Sequence, residues 1–313
     1  MPTQPMVPGS SRRTAVAPDW MRAVVDPAAF SREQEILAQT WTFLGLRADV
    51  AKDGAWFRAS LATRPVFVQR FDDDIRGFEN RCTHRGSPLR NTDKGSGPIV
   101  CDYHHWQYDR EGCAVGIPKC RELFGATPRE LGFKLAPLEI ATCGSFIFGR
   151  FPGPLASETL EQFLGDGYAC LEQMSKSGDS AGYQTYPTKA NWRLCFHNTL
   201  DDYHTVAVHP HSWGRAGYPE RGSMGYFRFG AHSAMLMTPD SDALAKMVSA
   251  CRDGTYRSEY YSIFQIFPNT LVLHFRSDAQ FWQILIQQFV PLTHDRSVSL
   301  PQTPSTGVRG GIE

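Results

Sequence analysis

The 313-residue sequence has no surplus of charge of either sign: 32 basic residues stand against 32 acidic ones, evenly mixed. A chain so balanced offers no electrostatic footprint for a phosphate backbone or an anionic membrane, so neither nucleic acid nor a membrane surface is an expected partner. It also lacks any apolar run of about eighteen residues, which excludes a membrane-spanning helix. The opening MPTQPMVPGSSRRTAVAPDW has two arginines and no apolar stretch behind them. No secretory signal is therefore expected, and the cytoplasm is the default location. Eight cysteines in a chain of this length are too dilute for a disulfide framework and fit free thiols and metal ligands better. No internal repeat is visible. What the chain does have is 42% hydrophobic residues, enough to fill two packed domains.

Residues 1 to 20, rich in Pro, Ser, Thr and Arg, read as an arm. From Ser31, SREQEILAQTWTFLG pairs Ser31 with Gln34 in a capping box, sets Leu37, Trp41 and Leu44 on one face and ends at Gly45, which predicts a helix. PVFVQRF from Pro65, the turn Asp72 to Asp74, and IRGFEN read as hairpin strands. A small antiparallel β domain is expected over residues 46–152. The apolar spacing from Asn191 to Val208 predicts one helix, and GYFRFG, HSAMLM, YSIFQIF, NTLVLHF and FWQILIQQFV predict a second antiparallel sheet. The expected class is α+β: an arm and helix over 1–45, the β domain over 46–152, and a helix-on-sheet domain over 153–313. After Arg296 the apolar periodicity gives way to Ser, Thr, Pro and Gly, so a disordered tail is expected from about residue 297.

The chemistry is concentrated in two places. In RCTHRGSPLRNTDKGSGPIVCDYHHWQYD, Cys82 and His84 form one closely spaced pair, and Cys101 and His104 form another. Two thiolates can hold one iron of a two-iron, two-sulfur cluster while two imidazoles hold the other. A structural zinc site is the competing use of the same residue types, although zinc fingers space their ligands differently. The second place is NWRLCFHNTLDDYHTVAVHPH, with Asp201, His204 and His209. On a helix, Asp201 and His204 lie on one face, with His209 just past the turn. Two His and a carboxylate make up the facial triad of non-haem iron oxygenases, but His-x4-His taken alone is a weak signal.

CTHRG followed by CDYHHWQYD resembles the Rieske motif of ring-hydroxylating oxygenases, in which Cys-x-His and Cys-x-x-His bind the cluster. His105 stands where those proteins usually have Gly. Respiratory Rieske proteins carry an additional cysteine in each loop; Ser87 and Tyr103 occupy those places here. NWRL, Asn198, Asp201-x-Tyr203-His204 and His209-Pro210 are similar to the catalytic-domain signature of the same oxygenases. The resemblance implies a [2Fe-2S] cluster on Cys82, His84, Cys101 and His104, a mononuclear Fe(II) on His204 and His209, and Asp201 as the bridge to a Rieske ligand of a neighbouring subunit.

The same resemblance implies that the chain is the large (alpha) subunit of an oxygenase, working on a small organic, aromatic substrate with dioxygen. Its electrons would come from NADH through a separate reductase, with or without a ferredoxin, and its assembly would be a homotrimer or a multiple of one. His197 stands where family members usually have Glu and reads as a neighbour of the iron ligands. Asp202 reads as a solvated residue. His211, His232, His274 and His294 read as packing residues, and Cys113, Cys120, Cys143, Cys170, Cys195 and Cys251 as free thiols. The family's third iron ligand is a carboxylate on a late helix; Asp278, Asp295 and Glu313 are available but lack that context. The catalytic domain is therefore expected to be cut short at its C-terminus.

Overall fold

The computed structural model describes residues 19–177, 180–199, 204–211, 223–257, 260–276 and 282–305. Helix α1 (Asp19–Val24) leads into α2 (Pro27–Ala38). Asp26 caps α2 by accepting from Ala28 N, with Pro27 in the first turn. The helix thus starts before the expected Ser31 cap and stops well short of Gly45. The chain then extends into strand β1 (Thr42–Leu46). Leu44 is buried there as a strand residue and Trp41 just before the strand, because β1 pairs with a strand a hundred residues on.

After a 3-10 turn (Arg47–Val50), the hairpin strands β2 (Ala55–Leu61), β3 (Arg64–Phe71) and β4 (Asp74–Glu79) follow, and β5 (Lys94–Ser96) returns to the edge. Strands β6 (Ile99–Val100), β7 (Gln107–Tyr108) and β8 (Ala114–Gly116) make a small separate sheet. Helices α3 (Cys120–Phe124) and α4 (Pro128–Leu131) precede β9 (Pro137–Cys143) and β10 (Phe146–Arg150). The first sheet runs β1-β10-β9-β4-β3-β2-β5, antiparallel throughout.

Helices α5 (Leu160–Leu164) and α6 (Gly167–Met174), then β11 (Ser180–Tyr183) and β12 (Tyr186–Thr188), lead to α7 (Trp192–Asn198) and α8 (Thr205–Val208). The helix expected over 191–208 is thus not continuous: α7 ends at Asn198 with Thr199 as its cap, and α8 is a separate turn. Strands β13 (Gly225–Phe229) and β14 (His232–Leu236), helix α9 (Ala243–Arg252), and strands β15 (Ser262–Ile266), β16 (Thr270–Arg276) and β17 (Trp282–Thr293) follow at the places the alternation predicts. The expectation of a disordered tail from about 297 is corrected by β18 (Arg296–Ser305). That strand pairs with β17 on one side and with β11 and β12 on the other. Its small polar residues are buried with partners: Ser297 Oγ donates to Ala190 O at 3.0 Å, and Ser299 Oγ accepts from Gln287 Nε2 at 2.9 Å. The ladder supplies what apolar periodicity does not.

The second sheet runs β11-β18-β17-β16-β15-β14-β13. One of its faces packs with α5, α6 and α9 and also with Phe43, Phe146 and Phe148 of the first sheet. The other packs with Trp192 and Phe196 of α7 and with Leu61, Val66 and Val68 of β2 and β3. Both apolar groups draw on both sheets, and each fully buried phenylalanine contributes about 2 to 3 kcal/mol to holding them together. A third group, around Phe67, Phe78, Ile99 and Trp106, encloses Cys82 and Cys101.

Candidate metal centres

Two loops carry the first constellation, one after β4 and one between β6 and β7, and they share a backbone frame. Cys82 N donates to Ser87 O at 2.8 Å and Gly86 N to Cys82 O at 2.9 Å; Cys101 N donates to Trp106 O at 2.9 Å and His105 N to Cys101 O at 2.8 Å. In each loop the fourth residue after the cysteine has a positive φ, +73° at Gly86 and +55° at His105. Asn80 pins the first loop. Its Nδ2 donates to Arg90 O at 2.9 Å, and its Oδ1 accepts from Leu89 N and Arg90 N at 2.9 and 2.8 Å.

The frame buries both thiols and leaves both imidazoles half-buried at the rim. His84 Nδ1 and His104 Nδ1 stand 3.1 Å apart. Their rings meet at 70°, and Trp106 stacks on His84 at 4.9 Å with 6° between planes. Tyr103 lies 3.9 Å from the His104 ring. Burial, then the neighbouring His104, lowers the His84 pKa and favours the neutral imidazole that ligates metals. Burial raises the Cys82 thiol, and the Tyr108 hydroxyl, 3.1 Å from its Sγ, acts against that. Burial, followed by the Cys82 contact, pushes Tyr108 up as well. Tyr108 OH also accepts from Thr83 N at 3.1 Å.

The donor chemistry fits a two-iron, two-sulfur cluster: two imidazole nitrogens 3.1 Å apart and two buried sulfurs on one loop frame are the donor set such a cluster takes. Among the described residues, no group of three or more His, Cys, Asp or Glu closes on a single ion.

The second constellation is placed in part. His204, half-buried, leads into α8 and His209 caps its far end; their rings are 5.6 Å apart at 70°. Asp201 and Asp202, like Asp278 and Glu313, lie outside the described residues. Asp295 is in the turn between β17 and β18, where it accepts from Thr293 Oγ1 at 2.8 Å. That turn is at the start of α7, since Asn191 Nδ2 donates to His294 O at 2.7 Å. The seven residues of α7 put roughly 10 Å between this end and the one that leads towards His204. His197 is exposed on the last turn of α7.

Of the isolated histidines, His232 is a packing residue. Its Nε2 donates to Phe163 O at 2.7 Å, and its Nδ1 accepts from Phe267 N at 3.0 Å. His274 is buried in β16, and burial alone pulls its pKa down to about 4. All eight cysteines are free thiols. Sequence reading missed Asn80, Tyr108 and Arg90. Only Tyr108 had a signal available, its place four residues after His104 in the second loop.

Two Cys-His loops of one frame stand on one antiparallel sheet, and a His pair stands beside a second, helix-covered antiparallel sheet. Residues 40–131 match the Rieske [2Fe-2S] domain, and residues 178–298 match the ring hydroxylating alpha subunit (catalytic domain). The chain thus carries a Rieske domain followed by a ring-hydroxylating alpha-subunit catalytic domain, in that order.

It is 29% identical over 290 residues to the large oxygenase component of a naphthalene 1,2-dioxygenase system from Ralstonia sp, covering 79% of this chain and 64% of that protein. To the anthranilate 1,2-dioxygenase large subunit of Burkholderia cepacia it is 29% identical over 195 residues, covering 58% and 45%. The chain thus spans less than two thirds of the length of these relatives. In fold it is similar to naphthalene 1,2-dioxygenase from Rhodococcus sp. bound to indole, with a TM-score of 0.76 and 21% identity over 93% of this chain and 74% of that one. No helix among the described residues is long and apolar enough to cross a membrane.

Proposed function

We propose that the protein is the oxygenase component of a cytoplasmic system that oxidises a small organic, aromatic substrate with dioxygen, fed from NADH by a separate reductase, with or without a ferredoxin. The observation that carries this reading is the paired loop frame, with two buried thiols and two imidazole Nδ1 atoms 3.1 Å apart. In this reading Cys82, His84, Cys101 and His104 hold the cluster, His204 and His209 hold the mononuclear iron, and Asp201 stands between the centres of neighbouring subunits in a homotrimer. When bound, the cluster supplies single electrons and the iron supplies a site for dioxygen.

The chain's own residues do the positioning. Trp106 fixes the His84 ring, the loop frame fixes both cysteines, and Asn191 anchors the start of the helix whose other end leads towards His204. The relatives act, by name, on naphthalene and anthranilate, and the aromatic substrate class rests on them.

The test is spectroscopy with product analysis. Brown protein with the low-g electron paramagnetic resonance of a reduced cluster, substrate oxidation with reductase, and loss of that oxidation in Asp201→Ala with the cluster intact are the expected results. Stoichiometric zinc in place of iron and sulfide refutes the reading. The alternative is a truncated, inactive oxygenase or an electron carrier that keeps only its cluster. Full cluster reoxidation with no product under any substrate supports it.

A further inference from the structure

Beneath the two ligand loops lies a buried cation that the proposed chemistry has not used. Arg90 is 6% exposed. Its Nη2 donates to Gln69 Oε1 at 2.5 Å and to Gly97 O at 3.2 Å, and its Nη1 to Pro98 O at 3.0 Å. Its Cζ is 4.7 Å from the Trp56 ring centroid and 5.4 Å from that of Phe67. Every one of these partners is neutral, and the buried Nε has no acceptor among the described residues. The carboxylate whose charge acts on the guanidinium is Asp102, which is exposed and bonded to Asn91 Nδ2 at 2.8 Å. Burial lowers the Arg90 pKa to about 10, so the group is still charged at neutral pH. Burying a charge against neutral partners with one donor unmet is costly, and a neutral amide could hold carbonyl oxygens at less expense.

The location gives that charge a use. The Arg90 backbone is held by Asn80, two residues before Cys82, and its side chain holds Gly97 and Pro98, which lead through β6 into Cys101. Phe67, beneath it, belongs to the same apolar group as both cysteines. The cation is therefore fixed at the base of both ligand loops, in an interior where salt and water screen it little.

We propose that Arg90 sets the reduction potential of the cluster upward, its buried charge stabilising the reduced form. This rests on the assignment of Cys82, His84, Cys101 and His104 as the cluster ligands. Reduction adds one electron and neither forms nor breaks a bond, so a fixed positive charge favours the reduced, more negative state; cluster potentials follow net charge and hydrogen bonding in this way. Arg90 touches no ligand atom and acts as a tuning residue.

The test is a dithionite redox titration of the cluster-loaded protein, read by electron paramagnetic resonance of the reduced form. Arg90→Met removes the charge, and Arg90→Lys keeps it with fewer donors. Arg90→Met is expected to shift the one-electron equilibrium against reduction tenfold or more, about 59 mV, while Arg90→Lys stays within threefold of wild type. Gln69→Glu neutralises the cation in place and is expected to shift the equilibrium in the same direction, which keeps the test decisive if Arg90→Met fails to fold. A charge-removing variant with an unmoved potential, or Arg90→Lys displaced as far as Arg90→Met, overturns the role of Arg90 alone. A wild-type protein with no reduced-cluster signal overturns the cluster assignment and this role with it.

Discussion

Each candidate centre depends on one buried asparagine, and the two asparagines are used differently. Asn80, 4% exposed, makes its three hydrogen bonds within ten residues and closes the loop that presents Cys82 and His84. Asn191, 1% exposed, also makes three, accepting from Arg193 N at 2.9 Å and donating to Val24 O at 2.9 Å and His294 O at 2.7 Å. It gathers two distant segments, at Val24 and His294, to the start of α7, the end away from His204. The first pair of loops is thus braced beside its donors, whereas Asn191 stands a helix length from the end of α7 that leads towards His204. A centre braced at its donors is legible and preformed; one braced from a distance depends on whatever else closes around it.

The largest effect that tests this contrast is loss of a donor. Cys82→Ser or Cys101→Ser should abolish cluster absorbance and the reduced-cluster signal, while His204→Ala should leave both at wild-type levels. Metal analysis of the unmutated chain should find about two irons per chain, with the mononuclear site underfilled. About three irons, or a cluster lost in His204→Ala, would show that the centres are not independently braced.

Removing the braces comes next. Asn80→Ala and Asn191→Ala each strand buried backbone groups, and each should cost about 2 to 4 kcal/mol in denaturant unfolding. The variants should separate in cluster content: Asn80→Ala falls and Asn191→Ala does not. Equal cluster content in the two would remove the distinction between near and remote bracing.

The same contrast governs what the sequence revealed. Cys82, His84, Cys101 and His104 stood out because a loop that returns on itself within six residues sets its Cys and His at fixed short spacing. The strands from Gly225 to Thr293 were visible because they alternate or run apolar at strand length, as strands covered on one or both faces do. Strand β18 was not, because its burial is met by a hydrogen bond that Ser297 donates to Ala190 O and one that Ser299 accepts from Gln287, which leave no apolar period. The end of α2 was misplaced because Trp41 and Leu44 fit a helical stripe, while the partner that draws residues 42–46 into a strand is β10. Asn80, Arg90 and Asn191 act through contacts that no local pattern encodes.

Acid should expose a further difference between the halves, seated at His274 in the second sheet. Its native pKa of about 4 lies below the ordinary value of 6.5, so the unfolded chain binds the proton more readily. The neutral-His contribution is fully present above pH 6.5 and is lost as pH falls towards 4, up to about 3 kcal/mol. The drop in unfolding free energy between pH 7 and pH 4.5 should be smaller in His274→Gln than in wild type. Parallel slopes would place the acid response elsewhere.

The smallest effect lies within the first centre, between its two loops. Both need a left-handed residue four places after the cysteine, and both use its N–H to bond the cysteine carbonyl. Gly86 takes that conformation freely; His105 carries a Cβ into it, at roughly 1 kcal/mol. His105 is exposed, so little packing is lost on its removal. His105→Gly should therefore stabilise the folded protein by about 0.5 kcal/mol, since the added freedom of glycine in the unfolded chain offsets part of the relief. The reverse change is not its mirror image. A Cβ at position 86 would meet Arg81 Nε at 3.0 Å in addition to the backbone cost, so Gly86→His should destabilise by about 1 to 2 kcal/mol. Thermal unfolding of the two variants and of the double exchange decides it. If His105→Gly destabilises, the imidazole at 105 has a partner in the folded protein, and the two loops are alike in backbone only.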